Sequence, residues 1–355
     1  IGVTAGSIKF IDTGTLASTV SLSGGTTLDA DNSLTVSGAL TQSGDITIDV
    51  LVAQTLTYTG SPISLGTNTL SLSGGGTFAN TMPLVLDNAA SKLLLSSITV
   101  DNVSTSVDNS LGVEVENDST ITSLSVANIT PVSIATGKTL SGAIGVTTGS
   151  INLINKGTLA STVEMSGGTT LDADNSLTVS GALTQSGDIT IDVLGNQTLI
   201  YTGPSLSLGA STLSLSGGGT FANTMSLVLD NAASKLLLSS ITVENVSTSV
   251  DNSLGVEVEN DSTITSLSVA NITPVSIATG KTLSGAIGVT AGSIKLTDTG
   301  TLASTVEMSG GTTLDADNSL TVSGALTQSG DITIDVADTR TLIYTGPSLS
   351  LGAST

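Results

Sequence analysis

The chain has 355 residues and a net charge of −21, from 29 acidic and eight basic residues. A surface this acidic repels nucleic acid and anionic lipid, and no apolar run approaches the roughly 20 residues that span a bilayer. We therefore expect no nucleic-acid partner and no membrane insertion of this segment. Cys, His and Trp are absent, and only three Tyr and three Phe occur. With so few aromatics to fill a wide core, the composition favours an elongated all-β protein with a narrow core of Leu, Ile and Val.

One unit of sequence recurs with a period of 143 residues, and the tripeptide Gly-Val-Thr marks the start of each copy. The copies are residues 2–144, residues 145–287 and a partial third copy at residues 288–355. The first two copies are identical at 126 of 143 positions. Copies this similar should fold and act alike. We therefore expect residues 1–355 to form one continuous repeat array.

Short runs that alternate apolar and polar residues predict β-strands with one buried face. In the first copy they are, in chain order, residues 20–22, 34–36, 46–50, 70–72, 98–100, 113–115 and 132–134. Clusters of Gly, Ser and Asp separate them, which is typical of turns. No stretch shows a 3.6-residue period, so no helix is predicted. Within residues 46–50, we expect Ile46, Ile48 and Val50 to point inward, and Thr47 and Asp49 to face solvent.

Strands of this kind are typical of a β-solenoid, in which coils of similar length stack along an axis. Cuts before residues 26, 46, 69, 93, 121 and 145 divide one period into six coils of 20 to 28 residues. The alternative is that each 143-residue unit is a β-sandwich, but such a domain normally has an aromatic core anchor. Residues 51–54 change between copies while the flanking strands hardly do, which predicts an exposed turn tolerant of insertion.

Residues 34–48 read Leu-Thr-Val-Ser-Gly-Ala-Leu-Thr-Gln-Ser-Gly-Asp-Ile-Thr-Ile, and the same block returns at residues 177–191 and 320–334. This block resembles the autotransporter-associated repeat, in which a Leu-Thr-Leu-Ser-Gly strand, a short Gly-Gly turn and a Thr-Thr-Ile/Val strand follow one another. The remaining composition is similar to that of filamentous-haemagglutinin-like bacterial adhesins. Two positions depart from the pattern, because Gln42 and Asp45 replace an aromatic residue and a turn Gly. The resemblance implies a β-solenoid on a bacterial surface.

Asp29 and Asp31 resemble the start of a calcium loop, since alternating carboxylates can converge on one hard cation. The completion is missing, because Leu34 and Leu40 stand where an EF-hand needs Gly and Glu. We therefore predict no metal site and no cofactor, and a fold that requires no divalent cation. Asp29 and Asp31 are the only candidates for an irregular calcium site, with Asp45 or Asp49 of a neighbouring coil as further ligands.

No catalytic site is predicted. General acid–base chemistry near neutral pH most often uses His, which the chain lacks. Paired carboxylates hydrolyse glycosides in some enzymes, and the candidate pairs are Glu114 with Glu116 and Asp29 with Asp31. Each pair lies in polar surroundings that do not raise one pKa. The alternative function from this class is a carbohydrate-active β-helix enzyme.

Thr55, Thr57 and Thr59 resemble the threonine rows of ice-binding solenoids. The next copy replaces Thr57 by Ile200, and we expect neighbouring coils to lack a matching row. This interpretation is therefore not favoured.

The sequence as a whole predicts a structural or adhesive repeat region, extracellular or on a cell surface, which provides length and a polar exterior. The runner-up is an array of calcium-stiffened β-sandwich adhesin repeats. Ile1 and Thr355 both match positions inside the repeat. We therefore expect the partner to be the protein itself, by end-to-end or lateral association or as a longer array of one chain. A host or neighbouring-cell surface is a further candidate partner.

Overall fold

The computed structural model of the chain describes residues 1–108, 111–251 and 254–349. These residues form strands and turns only, and among them no helix is long and apolar enough to cross a bilayer. Contacts divide the chain into two compact units, Ile1–Ala182 and Leu183–Thr355. Each unit is a β-solenoid in which strands pair in parallel with strands of the neighbouring turn. The all-β solenoid prediction is confirmed.

In the first unit, one strand of every turn contributes to a continuous parallel sheet, which we call the first face. Its strands are Ser7–Phe10, Thr26–Ala30, Ile46–Val50, Thr69–Ser73, Lys92–Ser96, Gly112–Asn117, Thr130–Ile134, Ser150–Leu153 and Thr170–Ala173. The register joins Leu28 to Ile48, and Leu70 to both Ile46 and Leu93. Each turn here therefore takes 20 to 24 residues.

The rest of each turn supplies a second face and then a third face. In the first unit the second-face strands are Gly14–Leu16, Leu34–Val36, Thr55–Tyr58, Thr77–Asn80, Thr158–Leu159 and Leu177–Val179. The third-face strands are Gly2–Val3, Val20–Leu22, Leu40–Gln42, Ile63–Ser64, Leu84–Leu86 and Thr162–Met165. Strands that run through both faces are Thr99–Thr105, Ser119–Val126 and Thr139–Val146.

The second unit repeats this arrangement. Its first-face strands are Ile189–Val193, Thr212–Ser216, Lys235–Leu238, Gly255–Val258, Ile272–Ile277, Ser293–Leu296, Thr313–Ala316 and Thr333–Val336. Its second-face strands are Thr198–Tyr201, Thr220–Asn223, Thr301–Leu302, Leu320–Val322 and Leu342–Tyr344. Its third-face strands are Leu183–Gln185, Leu206–Ser207, Leu227–Leu229, Thr305–Met308 and Leu326–Gln328, and those that run through both faces are Thr242–Thr248, Ser262–Val269 and Thr282–Val289.

The core is a column of stacked aliphatic side chains, because every strand turns alternate residues inward. In strand Ile46–Val50 the side chains of Ile46, Ile48 and Val50 are buried, with exposures of 5%, 1% and 0%. Thr47 and Asp49 lie on the outward side and are partly exposed. The predicted facing of this strand is confirmed.

Two aromatic rings interrupt the aliphatic column in each unit. Tyr58 and Phe78 are fully buried in neighbouring turns, with their ring centroids 6.2 Å apart and 16° between the ring planes. The Tyr58 hydroxyl donates a hydrogen bond to the Ser61 carbonyl at 2.7 Å and accepts one from the Leu40 amide at 3.1 Å. The buried aromatics therefore fill the narrow core, and the Tyr58 hydroxyl ties a corner of the solenoid to the turn below.

One copy of the repeat contains seven turns, which corrects the predicted six. The cuts before residues 26, 46, 69 and 93 agree with first-face strands to within one residue, but the cuts before residues 121 and 145 do not. Val113 pairs with Leu93, Val132 with Val113 and Leu153 with Val132, so residues 93–168 hold four short turns instead of three. In this part of the copy single strands run through the second and third faces, so the corner residues that mark a coil are missing.

Parallel pairing excludes the β-sandwich alternative, because a sandwich of this kind is built from antiparallel strands. The antiparallel contacts of the described residues are the isolated bridges Leu51–Gly75 and Leu194–Gly218. Both lie at the turn that varies between copies. Leu51 and Val52 are 43% and 64% exposed there, which confirms an exposed connection.

Candidate functional site

Asp29 and Asp31, the candidate calcium ligands, lie on the outward side of the first face around a lysine. Lys9 comes from the preceding turn, where it pairs in register with Asp29. Its Nζ lies 2.8 Å from Asp31 Oδ2 and 3.4 Å from Asp29 Oδ2. The hydrogen bond to Lys9 lowers the pKa of Asp31, and the same contact raises the pKa of Lys9. A cationic side chain of the chain itself therefore occupies the position between the two carboxylates.

The third copy repeats this arrangement, and the second copy does not. In the third copy Lys295 Nζ lies 2.9 Å from Asp317 Oδ2 and 3.8 Å from Asp315 Oδ2. Burial, with repulsion from Asp317, raises the pKa of Asp315, although Lys295 opposes the shift. In the second copy Asn152 takes the place of the lysine and pairs in register with Asp172. The cluster is therefore not a constant feature of the repeat.

Other aspartates connect one turn to the next by accepting backbone hydrogen bonds at the corners. Asp45 Oδ1 accepts from the Thr69 amide at 2.7 Å, Asp118 Oδ1 from the Thr139 amide at 2.8 Å, and Asp108 Oδ1 from the Ile129 amide at 3.0 Å. The corresponding residues of the second unit make the same contacts. Carboxylate oxygens are strong acceptors of backbone N–H groups. Part of the acidity of the chain therefore serves to hold the turns together.

The two departures from the autotransporter-associated pattern both make such contacts. Gln42 Nε2 donates to the Leu65 carbonyl at 3.0 Å, and Asp45 bonds to the Thr69 amide as described above. Asp49, the other candidate calcium ligand from a neighbouring coil, accepts a hydrogen bond from the Ser73 hydroxyl at 2.5 Å. Hydrogen-bond donors of the protein thus already engage both additional calcium candidates.

We predict that chelation of divalent cations leaves the thermal stability unchanged. Lys9 already lies between Asp29 and Asp31, and neighbouring turns engage Asp45 and Asp49. A ligand that binds only the folded state stabilises it by RT ln(1 + [L]/Kd) and so raises the melting temperature. Circular dichroism melts with and without EDTA measure this directly. A large drop on adding EDTA, reversed by excess calcium, would contradict the prediction.

The carboxylates considered for glycoside hydrolysis do not form a shared site. Glu114 Oε2 is 2.5 Å from Lys92 Nζ, and Glu257 makes the same ion pair with Lys235 at 2.6 Å. Glu116 is exposed on the same strand. General acid catalysis by a carboxyl group needs a raised pKa, which burial or a close second carboxylate provides. The charged group next to Glu114 is a lysine, Lys92, and not a second carboxylate.

Threonines of the second face line up across turns at single positions, although, as expected, neither neighbouring coil repeats all three of Thr55, Thr57 and Thr59. Thr55 pairs with Thr77, Thr77 with Thr99, and Thr99 with Thr120. The neighbouring row does not continue, because Thr57 pairs with Ala79 and the following turn places Asp101 there. The second face therefore carries one threonine row from Thr55 to Thr120 and a shorter one of Thr15, Thr35 and Thr57 that ends at Ala79.

A shallow groove of about 310 Å³ runs beside this row in the first unit, and one of about 340 Å³ lies at the matching positions of the second unit. The first is lined mainly by small hydroxyl side chains, among them Ser97, Thr99 and Thr120. Asp118 is its single carboxylate and already accepts a bond from the Thr139 amide. This groove follows from the packing of small side chains at a corner and presents no converging set of ligand-binding groups.

Tyr201 makes the stability of the second unit sensitive to alkaline pH. Its ring is fully buried and its hydroxyl donates to the Pro204 carbonyl at 2.6 Å. Burial raises the pKa of Tyr201, although the Leu183 amide, which donates to the hydroxyl, opposes the shift. The folded state therefore holds this proton more tightly than the unfolded state does. This contribution to stability is complete below the unfolded pKa of about 10 and is lost as the pH rises above it.

We predict that the urea midpoint of the second unit decreases as the pH is raised from about 8 to about 11, and that the decrease is smaller in Y201F. The midpoints at the two pH values are compared within each variant. The loss of the Tyr201 hydroxyl bond lowers both midpoints of Y201F and so cancels from the difference. Hydrogen exchange of residues 189–229 reports on this unit locally. An equal fall in Y201F and the unmodified chain would show that other groups cause it.

No group of three or more Asp or Glu side chains suited to a metal ion occurs in the described part of the chain. The arrangement that does recur is structural: carboxylate and amide side chains at the corners, hydroxyl rows on a face, and lysine–carboxylate pairs on the first face. No family model matches the chain, and no curated protein or solved structure matches it either.

Proposed function

We propose that this array is a structural spacer of an extracellular or cell-surface protein, without catalytic activity, which holds the parts attached to it at a distance. The likeness of residues 34–48 to the autotransporter-associated repeat supports a place among bacterial surface adhesins. In that role the useful properties are length, a polar exterior and resistance to unwinding. A parallel stack with its own lysine–carboxylate and corner contacts has these properties.

The observation that carries this proposal is which positions change between the copies. Buried positions exchange one apolar residue for another, as Leu22 becomes Met165 and Ile63 becomes Leu206. The charged cluster around Lys9 returns in the third copy with Lys295 but is lost in the second, where Asn152 replaces the lysine. The few positions that differ between the first two copies therefore lie mostly on the surface, and the buried ones among them keep an apolar residue. A protein selected to bind the same ligand in every copy would show the opposite pattern.

The proposal also covers self-association or a longer array. Ile334 and Val336 are 41% and 37% exposed, whereas the equivalent Ile191 and Val193 are fully buried. In the second copy Leu215, on the next first-face strand, pairs with Ile191 and covers it. Denaturing and native mass measurements on the protein from its source separate these two arrangements.

The test deletes one copy of the array, or replaces the array by an unrelated β-solenoid, in the protein that carries it. We expect deletion of one 143-residue copy to shorten the particle by about 34 Å in electron micrographs, from seven turns at about 4.8 Å. An unrelated β-solenoid of equal length should restore both the length and the cellular function of the protein. If the unrelated solenoid restores length but not function, the surface of the array binds something and the spacer proposal fails.

A further inference from the structure

The chain contains seven Asn-x-Ser/Thr sequences, which are acceptor motifs for Asn-linked sugars. Their asparagines are Asn102, Asn117, Asn128, Asn196, Asn245, Asn260 and Asn271. Six of them form three pairs of equivalent positions in the first two copies. The seventh, Asn196, has no equivalent, because Ala53 and Thr339 stand at its position in the other copies.

In the first two pairs, the amide nitrogen of each Asn is engaged in a hydrogen bond between turns, which blocks the attachment of a sugar. Asn102 Nδ2 donates to the Asn80 carbonyl at 2.5 Å, and Asn245 makes the same bond at 2.6 Å. Asn117 Nδ2 donates to the Ser96 hydroxyl at 2.8 Å, and Asn260 again does the same. The amide nitrogen is the atom to which the sugar is attached. A sugar on any of these four would break a contact between turns.

The third pair is protected through the hydroxyl residue of its motif. Thr130 follows Asn128 by two positions and is fully buried, and its hydroxyl donates to the Thr105 hydroxyl at 3.1 Å. Thr273, which follows Asn271, is equally buried and makes the same bond. An enzyme that reads the motif needs both the Asn amide and the hydroxyl side chain. The folded chain therefore hides this half of the motif.

Asn196 differs from the other six asparagines both in its amide group and in the hydroxyl residue of its motif. It lies at the tip of the variable turn, is exposed, and makes no side-chain hydrogen bond within the described part of the chain. Its φ of 65° is left-handed, a conformation that Asn adopts more readily than most residues. Thr198, which completes the motif, is an outward-facing and partly exposed strand residue. The turn therefore displays the motif away from the core.

We propose that Asn196 is the acceptor for an Asn-linked sugar in the folded protein. In the transfer, Asn196 Nδ2 forms a bond to the anomeric carbon of a nucleoside-diphosphate sugar. The bond from that carbon to the diphosphate breaks, the nucleoside diphosphate leaves, and the amide nitrogen loses one proton. The sugar would project from a corner of the second copy without disturbing the contacts between turns. The inference does not depend on the spacer role.

The test treats the folded, full-length chain with UDP-glucose and a soluble asparagine glucosyltransferase, followed by intact and peptide mass spectrometry. We expect one hexose per chain, on the peptide that contains Asn196, and none in N196A. N196A places at this position the residue that the first copy has there, Ala53, so it should fold normally. A hexose on any of the other six asparagines, or none at all, would overturn the proposal.

Two further samples separate the effect of the fold from that of the sequence. A53N creates Asn-Gln-Thr in the equivalent turn of the first copy, and we expect it to accept a second hexose. Tryptic peptides of the unmodified chain, treated in the same way, should be glucosylated on Asn102 or Asn128 as well. If the peptides accept hexose only on Asn196, or if A53N accepts no second hexose, the fold does not make the selection, and the protection of the other six asparagines by the fold is wrong.

Discussion

I48D is expected to unfold the turns around residues 46–50, with a loss of about 4–5 kcal/mol or more. Ile48 is 1% exposed and pairs in register with Leu28 on one side and Leu72 on the other. A carboxylate at this position loses its hydration, and only apolar side chains lie above and below it. Because each turn of a solenoid rests on its neighbours, the damage should extend to the adjacent turns. Hydrogen exchange of residues 26–73, with urea titration, measures the local loss.

T47D is the matched control, because it places the same charge one residue away on the outward side. Thr47 is partly exposed, so its replacement should change the local stability by less than about 1 kcal/mol. I48V is a second control and should cost about 0.5–1.5 kcal/mol, as expected for a lost methylene in a packed core. If I48D and T47D unfold at the same urea concentration, the inward facing of this strand is incorrect.

The alternation of apolar residues was sufficient to predict the fold class and the facing of residues 46–50. The first coil boundaries were also predictable, because Gly-rich and Asp-rich corners mark them. The boundaries beyond residue 93 were not, since strands such as Ser119–Val126 run through two faces without such a corner. The register between turns decides the number of coils there. A single sequence does not reveal that register.

Register also explains which surface features escaped prediction. The closeness of Asp29 and Asp31 follows from their spacing, but the approach of Lys9 depends on a strand 20 residues away. The threonine row that begins at Thr55 involves residues 21 or 22 positions apart, a spacing that changes from turn to turn. The sequence shows every Asn-x-Ser/Thr motif, yet only hydrogen bonding and burial distinguish Asn196 from the others.

G142A is expected to cost about 3–5 kcal/mol, from backbone strain together with overpacking. Gly142 lies in strand Thr139–Val146 where the pairing with Ser119–Val126 shifts between Ile121 and Leu124, which is a β-bulge. Its φ of 114° is accessible almost only to glycine. A Cβ atom would lie 1.8 Å from the Ile121 carbonyl oxygen. The strand would have to move away from its neighbour, which breaks the hydrogen bonds on both sides of the bulge.

G145A is the matched control, three residues further along the same strand. No atom lies within 4 Å of the Cβ that it would add, and its φ is not in the left-handed region. We therefore expect a change within about 0.5 kcal/mol. Gly285 repeats the geometry of Gly142, with φ of 113° and a contact of 1.8 Å to the Ile264 carbonyl oxygen, so G285A should cause an equal loss in the second unit. Hydrogen exchange of residues 112–153 and 255–296 separates the two losses. Equal protection in G142A and G145A would mean that the bulge relaxes around a methyl group, and that the register shift does not depend on glycine.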